Sequence, residues 1–226
     1  MQNFILVSLE GNIGSGKSTL LKELMVRFKD DPAITFLPEP IDEWNQIRDR
    51  EGVTILEKYY KNMPKYSFAF QMMAYISRLA CLRELTRTFK GRVIIMERSI
   101  FTDCHVFAKM LYDEGTMEDI EYSIYLRWFH EFIRDMPPLY NFYIQCEPAV
   151  AQKRVAIRSR SGEETISLAY LQNCHASHEA WLMKNTGDDH TDPPQLVFDG
   201  NVDFNEQPSV LKDWIRQIED FLKLHM

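Results

Sequence analysis

The chain has 226 residues, which at roughly 150 residues per domain gives about 1.5 and favours one good-sized α/β domain over two complete ones. Acidic residues outnumber basic ones by 33 to 26, a formal charge of −7, and this excludes the overall basic field of a nucleic-acid or anionic-membrane binder. Any polyanionic ligand must be held by local groups.

Apolar runs of strand length alternate with stretches of helical periodicity, the pattern of a parallel sheet covered by helices on both faces. The first predicted strand, Phe4 to Leu9, leads into Gly11-Asn12-Ile13-Gly14-Ser15-Gly16-Lys17-Ser18 and then into a helical run from Thr19 to Phe28. That octet fits G-x-x-x-x-G-K-[ST] in the strand-to-helix setting the motif requires. Glycines let the backbone curl until several amides converge, and the helix end adds partial positive charge, so the loop cradles phosphates. Lys17 would reach the transferred phosphate and Ser18 would ligate magnesium. The loop specifies a nucleoside triphosphate without saying what is done with it.

The second predicted strand, Ile34 to Leu37, runs into Pro38-Glu39-Pro40 and then Trp44. A carboxylate at the carboxyl end of a parallel strand points into the ligand crevice, where it could take a proton from an acceptor hydroxyl. Phe68, Met72, Tyr75, Ile76, Leu79, Leu82, Leu85 and Phe89 recur at three- and four-residue steps, predicting an amphipathic helix of about six turns. Gln71 and Arg78, two turns apart, share one of its faces. The strand Val93 to Met96 runs directly into Glu97-Arg98-Ser99, an acid and a base suited to magnesium and phosphate, and Asp103 opens the next helix. Further helices are predicted from Met117 to Asp135, Ser167 to Lys184 and Ser209 to Leu224, with strands Tyr140 to Gln145 and Leu196 to Phe198. Arg154 and Arg158 are one helical turn apart, and Arg160 lies in Ser159 to Gly162, a segment placed to close over a nucleotide as a lid. Thr186 to Pro194 reads as an exposed loop.

Cys81, Cys104, Cys146 and Cys174 fit neither a zinc spacing nor the framework of a small secreted domain, and reduced thiols are expected. His175 and His178 lack a third ligand at a recognisable spacing and are expected on a helix surface or interface. No run approaches the ~18 apolar residues of a membrane span. The apolar strand at the very start leaves no room for a signal or transit peptide, so a cytoplasmic protein without membrane or nucleic-acid partners is expected.

Taken together and in order, GNIGSGKST, EPIDEW, YSFAFQ, ERSIFTD and RVAIRSRSGEE resemble the deoxyribonucleoside kinase family, closest to its deoxyguanosine and deoxycytidine kinase branch. The resemblance extends from near Phe4 to near Leu222. It implies a three-layer P-loop kinase fold, with a five-stranded parallel sheet flanked by helices, in a single domain with an arginine-rich lid near residues 158–165. It further implies transfer of the γ-phosphate of ATP, with Mg2+, to a deoxyribonucleoside 5′-hydroxyl. On this basis Glu39 is the general base, Lys17 and Arg98 serve the transferred phosphoryl group, and Glu97 with Ser18 holds magnesium. Gly11 through Thr19, Arg154, Arg158, Arg160, Asp203 and Phe204 form the ATP side. Tyr60 and Glu163 match the pair that bonds the sugar 3′-hydroxyl, Gln71 the amide that reads the base edge, and Ile13, Trp44, Phe70 and Phe107 the slot walls.

Arg78 and Asp103 match the branch that prefers deoxyguanosine, deoxyadenosine or deoxycytidine, whereas the thymidine-accepting branch carries smaller or apolar residues there. Ile100 to Leu111 and His175 to Leu182 look closest to deoxyguanosine kinase, although Cys104 and His105 stand where relatives carry an Arg and a Tyr. The resemblance also implies a homodimer joined through the helices near Gln71 to Phe89 and from Met117, and feedback by a deoxynucleoside triphosphate. Two other readings share the phosphate loop: a nucleoside monophosphate kinase such as thymidylate kinase, and a nucleotide-binding structural subunit without chemistry. Glu97-Arg98-Ser99 in place of an Asp-Arg pair argues against the first, and the joint presence of Lys17, Ser18, Glu39, Glu97 and Arg98 against the second.

Overall fold

The five apolar runs become β1 (Ile5–Glu10), β2 (Ile34–Leu37), β3 (Val93–Glu97), β4 (Leu139–Gln145) and β5 (Leu196–Asp199) in a computed structural model. It describes residues 4–158, 163, 166–183, 194–204 and 206–225. All four neighbouring pairs are parallel, in the order β2-β3-β1-β4-β5. Strands buried on both faces need no polar alternation. β3 is accordingly Val-Ile-Ile-Met-Glu, buried at every position, and the strands agree with expectation to within a residue at each end.

The helices are α1 (Lys17–Arg27), α2 (Ile41–Trp44), α3 (Ile55–Lys61), α4 (Met63–Thr88), α5 (Ile100–Thr102), α6 (Lys109–Asp113), α7 (Asp119–Phe132), α8 (Pro148–Arg158), α9 (Leu168–His178) and α10 (Pro208–His225). On one face of the sheet Leu20, Leu21 and Leu24 of α1 and Trp214, Ile218 and Leu222 of α10 pack on Val7, Leu9 and Ile144. The stripe on α10 repeats every fourth residue, and each such side chain removed from water contributes about 1.5–3 kcal/mol. On the other face Tyr75 and Leu79 of α4 meet Tyr125 and Phe129 of α7 and Leu171 of α9. This is the three-layer arrangement anticipated from the alternation of strands and helices.

Caps place the two helices that roof the acceptor side. Thr54 and Glu57 form a reciprocal capping box at the start of α3, which presents Leu56, Tyr59 and Tyr60 to one cavity. Asn62 then caps α4, with Pro64 in its first turn. As a result α4 starts five residues before Phe68, the first residue of the expected stripe.

Two stretches depart from simple α-helix. Residues Asp103–Ala108 and Glu179–Met183 are π-helical, so the predicted helix from Ser167 to Lys184 is α9 followed by a wider turn. Widening of this kind re-aims side chains and recurs at functional sites, and Asp103 and Phe107 both line the cavity. The expectation of a surface histidine at 178 is overturned. His178 is fully buried, donating Nδ1–H to the Cys174 carbonyl at 2.7 Å and lying parallel to the Tyr143 ring at 6.0 Å. Burial pushes its pKa down to about 3 and keeps the ring neutral; the α9 face that carries it turns toward β4. All four cysteines are free. Among the described residues no helix is long and apolar enough to cross a membrane. Residues 186–193 of the expected loop lie outside the described residues.

Candidate active site

The carboxyl ends of the strands converge on a cavity of about 550 Å³, within the size range of small-ligand sites. The loop after β1 forms one wall. Gly14 has φ +81°, and a Cβ there would lie 2.5 Å from the Ala151 carbonyl oxygen, so only glycine lets the loop rest on α8. Lys17, 3% exposed, donates Nζ hydrogen bonds to the carbonyls of Gly11 at 3.0 Å and Asn12 at 2.7 Å. Burial, seconded by the charge of Arg98, pushes its pKa down to about 7. Ser18 donates Oγ–H to Glu97 Oε1 at 2.7 Å, which sets two hard oxygen donors side by side where the loop meets the end of β3. Such a pair suits Mg2+, which takes one or two carboxylates and completes its shell with phosphate and water.

The opposite wall is a buried charge network. Arg78 donates Nε–H to Asp103 Oδ2 at 2.9 Å, an Nη1 hydrogen to the Glu97 carbonyl at 2.9 Å and an Nη2 hydrogen to Glu39 Oε1 at 3.2 Å. Arg98 donates to the same Glu39 oxygen at 2.7 Å, and its guanidinium carbon stands 5.2 Å from the Phe107 ring centre. Burial pushes the Asp103 carboxyl up from the usual carboxylate range, opposed by the Arg78 charge. For Arg78 burial works against the charge, but Asp103 and Glu39 hold the proton. Asp103 is therefore supported by a residue from α4, while the neighbouring His105 turns away to stack on Trp181 at 5.5 Å.

Ile13, Trp44, Tyr60, Phe70, Gln71 and Glu163 all line the same cavity. Trp44 is fixed edge-on to Phe70 at 5.7 Å and donates its indole N–H to Ser77 Oγ at 2.8 Å. On the nucleotide side Gly16, Thr19, Asp203 and Phe204 also face the cavity; Phe204 is anchored edge-on to Trp214 at 5.0 Å.

Four side chains expected on the nucleotide side are buried or held by contacts within the protein. Asn12 is buried and braces the loop, donating to the Leu171 carbonyl at 2.8 Å, and Ser15 is fully buried. Arg154 lines the cavity but donates to the carbonyls of Gly200 at 2.6 Å and Val202 at 2.8 Å, which makes it a strap between α8 and the loop after β5. Arg158 pairs with Glu163. Arg160 and most of the expected lid, residues 159–162, 164 and 165, lie outside the described residues.

The structure adds Leu56, Tyr59, Ala74 and Tyr170 to the cavity wall. The Tyr59 ring stacks on Phe70 at 4.4 Å, and its hydroxyl lies 3.0 Å from that of Tyr170. Tyr59 and Tyr60 are adjacent on α3, and helical spacing gives no signal that both face one site.

Comparison with known proteins agrees with this geometry. The family model for deoxynucleoside kinases matches residues 7–223. A probable deoxycytidine kinase of Fowlpox virus is 33% identical over 223 residues, covering 96% of this chain and 87% of the viral protein. The Homo sapiens deoxycytidine kinase is 29% identical, with 96% and 90% covered. The mitochondrial deoxyguanosine kinase of Xenopus laevis is 31% identical, with 80% and 74% covered. A phosphate loop facing a buried carboxylate–guanidinium pair across one cavity, in a chain matched almost end to end, places this protein in the deoxynucleoside kinase family, as an ATP-dependent phosphotransferase.

Proposed function

We propose that the chain phosphorylates the 5′-hydroxyl of deoxycytidine, deoxyguanosine and deoxyadenosine in preference to thymidine. The observation that carries this reading is the Arg78–Asp103 pair, joined at 2.9 Å inside the cavity. A carboxylate accepts from the amino group of cytosine, and a guanidinium suits the O6 and N7 acceptors of guanine. Thymine would set a carbonyl oxygen and a methyl group against the same charges, and a buried polar group left unmatched is costly. The relatives named above support deoxycytidine and deoxyguanosine together.

In this reading Glu39 takes the proton of the 5′-hydroxyl as it attacks, and Arg98 orients that oxygen and stabilises the developing phosphate charge. Phosphoryl transfer depends mostly on such positioning and charge stabilisation. Tyr60 and Glu163 bond the 3′-hydroxyl, Gln71 reads the base edge, and Lys17 grips the transferred phosphate. Ser18 and Glu97 would hold Mg2+, which neutralises phosphate charge when bound. The test is a steady-state assay with ATP of the four deoxynucleosides and their monophosphates. Turnover of deoxycytidine, deoxyguanosine or deoxyadenosine above thymidine is expected, and turnover of the monophosphates instead would overturn the reading. A homodimer fits α4 and α7, which expose Ile76, Ile124 and Trp128 at 40%, 41% and 47%; a monomeric mass by light scattering would remove it.

Lys17 gives ATP binding a pH dependence. With its pKa at about 7 in the ligand-free protein, the amine is mostly neutral at pH 8, and the phosphates draw the proton back. Binding at pH 8 is therefore expected to take up protons, and affinity to fall as the pH rises above 7. Calorimetry in buffers of differing ionisation enthalpy measures this; a binding enthalpy independent of buffer would refute it.

A further inference from the structure

Glu10, the last residue of β1, is fully buried and has no part in the steps above. Its Oε1 accepts hydrogen bonds from Ser8 Oγ at 2.5 Å, Ser99 N at 3.1 Å and Ser99 Oγ at 3.0 Å, and its Oε2 from Thr102 Oγ1 at 2.5 Å. A carboxylate taken out of water needs such saturation. Ser99 and Thr102 belong to the turn that begins with Arg98.

Arg98 has φ +61°, the one non-glycine residue with positive φ among those described. This left-handed conformation is unfavourable for a residue with a side chain and persists only where the surroundings impose it. Here the imposition comes from β1. The amide of Arg98 donates to the Leu9 carbonyl at 3.1 Å, and the next amide, that of Ser99, donates to Glu10. Consecutive residues of β1 thus hold the peptides on both sides of Arg98, and its guanidinium lands 2.7 Å from Glu39. Burial works against the Arg98 charge, while Glu39, Glu97 and Glu10 favour it. Because Glu10 directly precedes Gly11, the same side chain also ties the entry of the phosphate loop to this turn.

We propose that Glu10 is a positioning residue for phosphoryl transfer, holding Arg98 in its left-handed conformation at a set distance from the phosphate loop. This rests on the reading of Arg98 as the guanidinium that meets the reacting oxygens. Glu10→Gln keeps the shape of the side chain but replaces one acceptor oxygen by an amide nitrogen that cannot accept.

The experiment measures kcat, both KM values and Tm for E10Q, R98K and the double variant. Misplacement by about 1 Å can cost about 10²-fold in rate, so E10Q is expected to lower kcat about 10- to 100-fold with KM for ATP within about twofold. R98K is expected to lower kcat because the fork geometry is lost, and the double variant to be no slower than R98K, since coupled residues are non-additive. Thr102→Val, which removes the donor to Oε2 and the second acceptor of the Ser99 amide but keeps the Oε1 contacts, should show a smaller fall in kcat and serves if E10Q does not fold. Wild-type kcat in E10Q with only Tm lowered overturns the proposal, as do losses that multiply in the double variant. Wild-type kcat in R98K instead overturns the role of Arg98, and the positioning role with it.

Discussion

Glu39→Gln is expected to lower kcat roughly 10²- to 10⁴-fold, the usual range for loss of a general base, with little change in ATP affinity. The separation follows from the fold. Glu39 arrives from β2 and the phosphate loop from β1, with β3 between them. The substitution has a second effect, because Glu39 Oε1 receives both Arg78 and Arg98. A neutral amide leaves two buried guanidiniums short of one counter-charge, so Tm should fall as well. The chemical loss is read from single-turnover rates per folded, ATP-competent molecule; near-normal turnover there would remove Glu39 from the proton-transfer role.

Arg78→Met combined with Asp103→Ala is expected to raise the thymidine to deoxycytidine ratio of kcat/KM about 10²-fold or more. A slot that hydrogen-bonds its substrate rejects analogues strongly because its own buried groups are left unpaired. Removing both charges lifts that rejection and makes room for the thymine methyl. The single variants should be worse proteins than the double one. Arg78→Met leaves Asp103 buried without its partner, a change that typically costs about 3–5 kcal/mol, and Asp103→Ala leaves Arg78 to share Glu39 with Arg98, whereas in the double variant the pair is replaced together by apolar groups. Absolute rates should fall in the double variant, since Arg78 also bonds Glu39; the ratio is the informative quantity. Unchanged relative kcat/KM across the deoxynucleosides would sink the assignment of Arg78 and Asp103 as base-selective.

The parallel strands were legible because burial on both faces makes them plain apolar runs, and the phosphate loop because its chemistry depends on glycine at fixed positions. The spacing of Gln71 and Arg78 was legible for the same reason, since 3.6-residue periodicity holds along α4. Other features carry no such signature. An i→i+5 turn has no sequence period of its own, so the π-helical stretches from Asp103 and Glu179 read as ordinary helix. His178 looked like surface because helical spacing alone does not tell which face meets β4. Tyr59 was hidden behind Tyr60, and Glu10 behind the glycine motif that it precedes. Arg154 illustrates a further limit: nothing in the sequence shows that this cavity-lining cation also bonds the backbone carbonyls of Gly200 and Val202.

In the sheet, Leu9 of β1 stands in register with Glu97 of β3, two residues short of Gly11 on one strand and one residue short of Arg98 on the other. The backbone ladder therefore sets the separation between the phosphate loop and the turn that carries Arg98, the two strands lying about 4.8 Å apart. Insertions in the surrounding loops leave that gap unchanged, while a one-residue slip of β3 would turn the Glu97 side chain to the opposite face of the sheet. Under the proposed reading, base preference is coupled to the chemistry, because Arg78 of α4 bonds both Asp103 and Glu39.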